Sequence, residues 1–386
     1  MSSVNYLEKL LDGAAVDWKP LGEVLVRTKG TKITAGQMRE LHKDGAPIKV
    51  FAGGRTVAFV DLEDIPKKDV NKEPSIIVKS RGVIEFEYYD KPFSHKNEMW
   101  SYNASGKAID IKYIYHFLRL NESHFQNIGS KMQMPQISTP DTDRFNIPIP
   151  CPENQKKSLE IQAKIARILD AFTELIAELT AELTARKKQY NYYRDQLLSF
   201  EDGEVEWKTL GDVATIGTGS HDTQDAITDG DYIFYARGRD PLRLNEFDFD
   251  ETAIITAGDG AGVGKVFHYA QGKYALHQRA YRIVPGAAMN PRFVYHYIKS
   301  HFYAYIQMAS VSSSVTSLRR PMFLNFPIPV PSITEQARIV AILDKFDALT
   351  ESLSEGLPRE IELRQKQYEY YRDLLLSFPK PEEAEA

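Results

Sequence analysis

Two long stretches of the chain repeat apolar residues at steps of three and four positions. The first runs from Ile165 to Leu197 and is interrupted only around Arg186, and the second runs from Ile339 to Phe378. This spacing places the apolar side chains along one stripe of an α-helix, as in a coiled-coil seam. Because these stripes have no other predicted cover, we expect the two helices to pack on each other as an antiparallel pair related by an internal two-fold axis.

The predicted seam can be given residue by residue. It consists of Ile165, Leu169, Phe172, Ile176, Leu179, Leu183, Tyr190, Tyr193, Leu197, Ile339, Leu343, Phe346, Leu353, Tyr368, Tyr371 and Leu375. Gly356, Leu357 and Pro358 interrupt the second copy. Proline removes a helical hydrogen bond and clashes with the preceding turn, so we expect a break or kink at Pro358.

Outside these helices the apolar residues follow a different pattern. Short β-type runs, among them PSIIVKSRGVIEFEYY (74–89) and TAIITAG (252–258), alternate with glycine turns, and short helices are predicted around KYIYHFL (112–118) and RFVYHYI (292–298). This mixture predicts an α+β fold. We expect the proline-rich stretches NIPIPCP and NFPIPVP to be extended arms outside any sheet, because proline supplies no donor to a ladder.

The same ordered elements occur twice along the chain, which indicates an internal repeat. The repeated segments are VDWKPLGEV (16–24) with VEWKTLGDV (205–213), KYIYHFL (112–118) with RFVYHYI (292–298), NIPIPCP (146–152) with NFPIPVP (325–331), IARILDAF (165–172) with IVAILDKF (339–346), and QYNYYRDQLLSF (189–200) with QYEYYRDLLLSF (367–378). The beginning of the chain, YLEKLLDGAAVDW (6–18), resembles the end of a repeat helix and its linker at 193–207. The repeat therefore looks circularly permuted.

The two halves differ between the Trp-Lys opening and the proline-rich stretch, whereas the helical segments match closely. This contrast favours a common scaffold that carries two different globular parts. The predicted divisions are an N-terminal partial repeat (1–17), a first domain (18–152), a central spacer helix (153–203), a second domain (204–331), a C-terminal spacer helix (332–379) and a disordered tail (380–386).

Composition narrows the class of protein. The 386 residues are 42% hydrophobic and 26% charged, as in a soluble globular protein of two domains. No run of eighteen apolar residues is present and the start lacks the features of a signal peptide, so neither a membrane span nor secretion is expected. The single cysteine, Cys151, excludes an internal disulfide and a cysteine-based zinc site, which fits the reducing cytoplasm.

Charge is unevenly distributed along the chain despite a net charge of only −5. Residues 261–330 contain eight basic side chains and no acidic ones, whereas residues 222–259 contain ten acidic side chains. Such segregation predicts a local basic surface suited to a polyanion. The alternative is a solvated face whose counter-charges lie nearby in space.

Motifs for catalysis are weak. TAGDGAGVGK (256–265) departs from the phosphate-binding loop pattern, because Asp259 stands at its first glycine and Val266 replaces the Ser or Thr that follows the lysine. No Asn/Asp-Pro-Pro-aromatic tetrapeptide of an amino-methyltransferase is present, and the acidic PDTD (140–143) does not continue into a nuclease motif. His95 and His277 occupy equivalent positions in SHKN and LHQR, where each is either a structural histidine or a DNA contact.

Candidate nucleic-acid contacts are more numerous. Arginine and lysine suit guanine edges, glutamine and asparagine suit adenine edges, and further basic side chains neutralise phosphates. The predicted DNA-binding residues are Arg55, Lys79, Arg81, His95, Lys96, Asn97, Lys131, Gln133, Arg237, Arg239, Lys265, His277, Gln278, Arg279, Ser312, Ser313, Thr316, Arg319 and Arg320. For each of them taken singly, an ordinary surface role is the alternative.

The repeated motifs resemble those of the specificity subunits of type I restriction-modification systems. The stretch AELTAELTA (177–185) further resembles the type IC subfamily, whose spacer contains tandem TAEL units. The resemblance implies that each domain is a target recognition domain for one half of a bipartite double-stranded DNA site, and that the helices dock two modification subunits. It implies that those partners carry the S-adenosylmethionine site and that motor-nuclease subunits using ATP and magnesium complete the restriction enzyme. This chain would then be a non-catalytic cytoplasmic subunit that binds no cofactor of its own.

The spacer helix has a predicted effect on the DNA site. One TAEL unit adds four residues, which lengthen a helix by roughly 6 Å and rotate its end by about 40°. We therefore expect the number of unrecognised base pairs to depend on the TAEL count. A stand-alone DNA methyltransferase or nuclease, or a coiled-coil scaffold without a DNA role, remains the alternative function, and an RNA-binding module is disfavoured because no aromatic RNP-type strand is present.

Overall fold

The computed structural model describes residues 6–106, 108–130, 133–201, 203–260, 262–308, 317–352 and 355–379. The chain divides into two compact units, of which unit 1 contains residues 1–179 and 361–386 and unit 2 contains residues 180–360. The predicted tail (380–386) and Leu353 of the seam lie outside the described residues. No helix in the described ranges is long and apolar enough to cross a membrane.

The elements of the chain are numbered in order. The helices are α1 (Tyr6–Leu11), α2 (Leu21–Val24), α3 (Ala35–Leu41), α4 (Ile111–Leu120), α5 (Glu122–Gly129), α6 (Thr139–Asp143), α7 (Gln155–Leu197), α8 (Leu210–Val213), α9 (Pro291–Met308), α10 (Arg320–Leu324), α11 (Ile333–Thr350) and α12 (Gly356–Leu376). The strands are β1 (Val16–Pro20), β2 (Val26–Arg27), β3 (Ile48–Phe51), β4 (Val57–Val60), β5 (Ser75–Lys79), β6 (Glu85–Tyr89), β7 (Phe93–His95), β8 (Trp100–Asn103), β9 (Asn146–Pro150), β10 (Glu206–Thr209), β11 (Ala214–Thr218), β12 (Tyr232–Tyr235), β13 (Leu242–Leu244), β14 (Phe249–Ala257), β15 (Phe267–Leu276), β16 (Ala280–Pro285) and β17 (Pro327–Val330).

Unit 1 contains a four-stranded sheet in the order β2-β8-β5-β6 and a three-stranded sheet in the order β4-β3-β7. Strand β5 is buried along its whole length, as the continuous apolar run IIV predicts for a central strand. Helix α4 packs on this sheet through Tyr113, Ile114 and Phe117, which belong to the same buried cluster as Ile76 and Val78.

Unit 2 contains a six-stranded sheet in the order β11-β16-β14-β15-β12-β13. Its strands are antiparallel except for β12 and β15, which run parallel from Ile233↔Tyr274 to Tyr235↔Leu276. The parallel pair of unit 1 has the same character, with Phe51 of β3 opposite His95 of β7. In a parallel pair both strands end at the same edge. The turns that follow β3 and β7 are therefore adjacent in unit 1, and those that follow β12 and β15 are adjacent in unit 2.

The proline-rich stretches form strands, so the expectation of free extended arms was wrong. Strand β9 pairs with β1, with Pro148 opposite Trp18, and strand β17 pairs with β10 in the same way. The prolines occupy alternate positions, and Ile147 and Ile149 between them supply the donors. Each sheet has only two strands, so the proline side of the backbone needs no partner.

Each long helix joins its neighbouring domain through the repeated motifs themselves. In unit 1, His116 Nε2 of α4 lies 2.9 Å from Asp170 Oδ1 of α7. In unit 2, His296 Nε2 of α9 lies 2.7 Å from Asp344 Oδ1 of α11. The motif pairs 112–118 with 165–172 and 292–298 with 339–346 therefore recur because they contact each other within each unit.

A buried glutamine supports each of these joints. Gln162 Oε1 accepts a hydrogen bond from the Asp110 amide at 3.0 Å, at the start of α4. Gln336 Oε1 accepts one from the Asn290 amide at 2.7 Å, at the start of α9. Both glutamine side chains are fully buried, so each satisfies the free donor of a helix N-terminus that water cannot reach.

The helical seams are partly buried. Ile165 and Leu169 in unit 1 and Ile339 and Leu343 in unit 2 are at most 1% exposed, whereas Leu179 and Leu183 in the TAEL stretch of α7 are only half-buried. Of the other predicted seam residues, Tyr190, Tyr368 and Leu375 are buried, and Phe172, Ile176, Leu197 and Phe346 are half-buried. Tyr193 and Tyr371 are exposed, at 40% and 39%, so the expectation that they are buried in the seam was wrong.

Aromatic stacking joins the helices within each unit. The rings of Phe172 and Tyr371 stack at 5.3 Å in unit 1, and those of Tyr193 and Phe346 stack at 5.9 Å in unit 2. Each contact pairs the phenylalanine of one repeated helix motif with a tyrosine of the other. In both copies of QY-x-YYRD the same tyrosine therefore stacks on the phenylalanine of the other helix motif.

The break in the second helix does not occur at Pro358 as expected. Helix α11 ends at Thr350 and α12 begins at Gly356, so Pro358 lies in the first turn of α12. The first turn of a helix has no internal acceptors for its amides, and proline is accommodated there without loss. Gly356 has a φ of +77°, a conformation that glycine adopts without strain.

Candidate nucleic-acid interface

In unit 2, four polar loops meet, and we call them loop cluster 2. They comprise residues 236–239 after β12, 258–260 after β14, 277–279 between β15 and β16, and 317–320 before and into α10. The His277 amide donates to Tyr235 O at 3.0 Å, the Gly258 amide to Arg279 O at 2.8 Å and the Leu318 amide to Gly258 O at 2.7 Å. Backbone hydrogen bonds therefore hold four separate segments together, and three of them contain residues predicted to contact DNA.

An arginine–aspartate–arginine group lies in loop cluster 2. Arg237 Nη1 is 2.9 Å from Asp259 Oδ1, and Arg279 Nη1 is 3.2 Å from Asp259 Oδ2. Although partial burial opposes ionisation, the hydrogen bonds and charges of Arg237 and Arg279 lower the pKa of the Asp259 carboxyl. The Arg279 side chain is 63% exposed, so its remaining donors are available to a ligand.

A cleft of about 580 Å³ opens beside this group. Its polar lining comes from Arg237, Arg239, Asp240, Asp259 and Thr223, and glycines at 238, 260 and 262 contribute backbone without side chains. Cationic donors and bare backbone at one opening suit the close approach of a polyanion or a base edge.

The other predicted residues of unit 2 differ in their positions. His277 is buried, and burial, together with the charge of Arg237, lowers the pKa of its imidazole. Gln278 Nε2 donates to Asp222 Oδ2 at 2.8 Å, and Lys265 lies over the ring of Tyr303. Arg319 and Arg320 are exposed in the fourth loop, and Ser312, Ser313 and Thr316 lie outside the described residues.

Unit 1 has a corresponding group of loops, which we call loop cluster 1. It comprises residues 52–55 after β3, 80–82 after β5, 96–98 between β7 and β8, and 133–137 before α6. The Lys96 amide donates to Phe51 O at 2.9 Å, the Gly54 amide to Arg81 O at 3.2 Å and the Ile137 amide to Ser80 O at 3.0 Å. Arg55, Arg81, Asn97 and Gln133 are exposed there, and Lys131 lies outside the described residues.

Two predicted DNA contacts of unit 1 have buried side chains. Lys79 Nζ lies 2.6 Å from Glu85 Oε1 and 2.8 Å from Glu87 Oε2. Burial opposes its charge, but these two carboxylates raise the pKa of the Lys79 ammonium. His95 is fully buried, with Nε2 2.9 Å from Thr28 Oγ1. The Lys79 side chain is only 11% exposed and held by two carboxylates, and His95 is enclosed, so neither is positioned as a DNA contact.

The uneven charge along the sequence is largely compensated in space. Arg282 lies 2.7 Å from Glu251, and Lys299 lies 2.8 Å from Glu351. Lys273 of β15 stands opposite Asp250 of β14. The acidic segment 222–259 contributes strand β14, which pairs with basic strands β15 and β16, so adjacency in the sheet neutralises charges that are separated along the chain. For these side chains the alternative of nearby counter-charges applies, rather than the expected local basic surface.

The two loop clusters share one backbone frame, which corrects the expected match of His95 with His277. The amide of Lys96 bonds to Phe51 O and the amide of Met99 to Lys96 O, as the amides of His277 and Ala280 bond to Tyr235 O and His277 O. Lys96 therefore corresponds to His277, one residue from the alignment that the sequence suggested. The similar sequences FAGGR (51–55) and YARGR (235–239), which follow the two parallel strands, were the signal that could have revealed this frame.

Three side chains in the described ranges have the chemistry and spacing of cation ligands. His296, Asp344 and Asp347 direct ligand atoms to within 4.8 Å of one another. Arg292 already binds both carboxylates, with Nε 2.7 Å from Asp344 and Nη2 3.2 Å from Asp347. The guanidinium occupies the place of a metal ion, so we interpret this group as part of the joint between α9 and α11.

Comparison with known proteins identifies the family. Residues 16–186 and 203–363 match the family described as type I restriction modification DNA specificity domain. The chain is 41% identical to the specificity subunit of the type I restriction enzyme EcoR124I/EcoR124II of Escherichia coli, over 99% of both chains. It is 31% identical to the specificity subunit of the Escherichia coli enzyme EcoprrI, over 92% of this chain and 93% of that one.

A solved structure supports the same fold. The S subunit of a type I restriction-modification system from M. genitalium superposes with a TM-score of 0.69 over 96% of this chain and 98% of that chain, at 17% identity. This similarity confirms the expected α+β domains with long helices. The family match over both halves and the close relatives agree, and the chain belongs to the family of type I restriction-modification DNA specificity subunits.

Proposed function

We propose that this chain recognises a bipartite sequence in double-stranded DNA on behalf of a type I restriction-modification complex. The first domain (18–152) contacts one half-site through loop cluster 1, and the second domain (204–331) contacts the other through loop cluster 2. The observation that carries the proposal is that the two loop clusters share a backbone frame but present different side chains. A common frame with different polar side chains suits two related contacts with different sequences.

The specificity subunit does not catalyse a reaction itself, and its partners supply the chemistry. We propose that two modification subunits carry S-adenosylmethionine and methylate adenine, and that motor-nuclease subunits use ATP and magnesium. The complex would act in the cytoplasm, where chromosomal and invading DNA are both accessible. The repeated helical motifs offer each modification subunit an equivalent surface.

The exposed tyrosines of the repeated motif mark that surface. Tyr192 is 59% exposed and Tyr370 is 65% exposed, each beside a second tyrosine that stacks on the neighbouring helix. Tyrosine is enriched at protein interfaces because it combines a large apolar ring with a polar end. We propose that Tyr192 and Tyr370 contact the two modification subunits.

Methylation mapping tests the proposed function. Cells that express this chain with its modification subunit should acquire methylated adenines in a split motif, with one methylated adenine in each half. Replacement of residues 21–145 by those of another subunit should change one half-site and leave the other unchanged. A motif without two parts, or a replacement that alters both halves, would contradict the proposal.

Activity and salt dependence separate the alternatives. The purified chain alone, incubated with DNA, S-adenosylmethionine and magnesium, should show neither methylation nor cleavage, and turnover would indicate a stand-alone enzyme. Specific duplex binding by the assembled complex should weaken steeply as salt rises, because phosphate contacts release counterions. A scaffold without a DNA role would bind no duplex.

A further inference from the structure

The shared frame extends to a third loop of each cluster and fixes further equivalent positions. The Ile137 amide donates to Ser80 O at 3.0 Å, and the Leu318 amide donates to Gly258 O at 2.7 Å. The next residue in each loop also matches, because Arg81 forms an isolated antiparallel β-bridge with Gln136 and Asp259 forms one with Ser317. Arg81 in the first domain therefore corresponds to Asp259 in the second.

The adjacent loop completes the comparison. Three residues after Lys96 and His277, the frame continues with Met99 and Ala280, so Glu98 corresponds to Arg279. The second domain thus has an acid at 259 and a base at 279, whereas the first domain has a base at 81 and an acid at 98. The acid and the base of the pair Asp259–Arg279 therefore exchange places in the corresponding pair Arg81–Glu98. We call this exchange an inverted polarity.

The members of the second pair are in direct contact, whereas Glu98 of the first pair contacts Lys96 and senses Arg81 only through its charge. Arg279 contacts Asp259 directly, as described above, and Arg237 contacts the opposite oxygen of the same carboxylate. In the first domain Glu98 lies 2.6 Å from Lys96. Partial burial opposes ionisation there, but Lys96, and to a smaller extent the charge of Arg81, lower the pKa of the Glu98 carboxyl. Position 53, which corresponds to Arg237, is glycine, so only the second domain has a second arginine on the pair.

We propose that positions 81 and 98 of the first domain and positions 237, 259 and 279 of the second are specificity-determining positions, at which Arg81 and Arg279 recognise guanine edges in the major groove. This inference rests on the proposed function and assigns the contacts within it. The inverted polarity places the guanidinium on a different loop in each domain. The guanine that each domain selects therefore lies at a different position relative to the shared frame.

A base contact explains the geometry of Arg279 better than a phosphate contact. The Asp259 carboxylate cancels much of the undirected charge that would attract a phosphate, and it fixes one edge of the guanidinium. The donors that remain keep the planar fork that matches guanine O6 and N7. A pure phosphate contact needs no such acid, and a neighbouring carboxylate would repel it.

Exchange of the pair's polarity tests this assignment. The complex of this chain with its modification subunits is used to select duplexes from a randomised library, as wild type and as three variants. The variants are Asp259→Arg with Arg279→Glu, Arg81→Asp with Glu98→Arg, and the single change Arg279→Gln, whose exposed side chain can be altered without loss of folding. Arg338→Gln is the matched control, because Arg338 is an exposed arginine paired with Glu335 on helix α11.

Arg279→Gln should reduce discrimination for one guanine of the second half-site by about 5- to 150-fold, the range for one bidentate base contact. Each double exchange should change the preferred base in its own half-site and leave the other half-site as in wild type. The control should select the wild-type sequence. Binding of unrelated duplex should remain in all variants, which shows that they are folded.

Two results would overturn the inference while the proposed function stands. One is selection of the wild-type sequence by all three variants with unchanged discrimination. The other is an equal loss of binding to every sequence, related or unrelated, which would make Arg279 a phosphate contact. Failure of the wild-type complex to select any bipartite sequence would instead refute the proposed function itself, and this inference with it.

Discussion

The buried glutamines at the joints predict unequal losses of stability when each is replaced by alanine. Gln336 Nε2 donates to Pro331 O at 2.8 Å and to Ala288 O at 3.1 Å, in addition to the bond that its Oε1 accepts from Asn290. Among the described residues Gln162 makes two such hydrogen bonds, since its Nε2 donates to Ser158 Oγ of its own helix at 3.0 Å. Gln336→Ala should therefore destabilise its joint more than Gln162→Ala does.

The magnitudes follow from the groups left unsatisfied. Each change leaves a buried amide N–H without an acceptor, which costs about 1–3 kcal/mol. Gln336→Ala also leaves two carbonyls without their donor and opens a cavity, so we expect a total of about 3–5 kcal/mol. Gln162→Ala should cost about 2–3 kcal/mol, since the Ser158 hydroxyl can rotate toward another acceptor.

Hydrogen exchange measures these losses locally, which matters because a chain of two units is not expected to unfold in one step. The amides at the start of α9 should exchange faster in Gln336→Ala, and those at the start of α4 in Gln162→Ala. Gln336→Met keeps most of the side-chain volume but none of the hydrogen bonds, so it should lose most of the stability that Gln336→Ala loses. Gln365→Ala, which removes an exposed glutamine of α12, is the control. Equal protection in Gln336→Ala and the wild type, or a larger loss in Gln162→Ala, would refute this assignment of the hydrogen bonds.

Three further predictions concern pH, the partner surface and the spacer. Burial lowers the pKa of the His95 imidazole in the folded protein. Unit 1 should therefore keep its full stability above about pH 6.5, the ordinary histidine pKa, and lose stability as the pH falls below it. His95→Gln should reduce this pH dependence by up to about 1.4 kcal/mol per pH unit, as measured by hydrogen exchange during thermal unfolding. Tyr192→Ala and Tyr370→Ala should each weaken binding of one modification subunit by about tenfold or more without loss of helicity, and unchanged two-site titrations by calorimetry would contradict the proposed surface. Insertion of one TAEL unit within 177–185 should change only the number of unrecognised base pairs in the methylated motif, and altered half-sites would contradict the role assigned to this stretch.

The scaffold was predictable from the sequence because its constraints are local and periodic. The helical seams follow from apolar spacing, and the repeat identified the segments that each unit uses in the same way. The joints were implicit in the same motifs, since the His116 and Asp170 segments recur as those of His296 and Asp344. A motif repeated in order along a chain is expected where the two copies make the same contact.

The loop clusters were predictable only in part, because their geometry depends on strand pairing between distant segments. The sequence identified Arg237, Arg279 and Arg81 as exposed basic residues but gave no reason to select Asp259 or Glu98. The basic surface was overestimated for the same reason, since pairing of β14 with β15 and β16 brings acids and bases together. The buried position of His95 likewise follows from a contact with a distant segment at Thr28, whereas Lys79 is held by Glu85 and Glu87 of the adjacent strand β6.

There is a physical reason why the two units share their joints and loop backbones but differ in the exposed side chains of the loop clusters. The joints consist of buried groups whose hydrogen bonds must all be satisfied, so a change at Gln162 or Gln336 carries a large energetic penalty. The pair at Asp259 and Arg279 is partly exposed, and surface ion pairs contribute little to folding. A change of polarity there costs little stability, while it moves a directional donor from one loop to another. Exposed pairs anchored on buried frames therefore allow a new DNA sequence to be selected without loss of the fold, and the inversion between Arg81 with Glu98 and Asp259 with Arg279 is the outcome that this reasoning predicts.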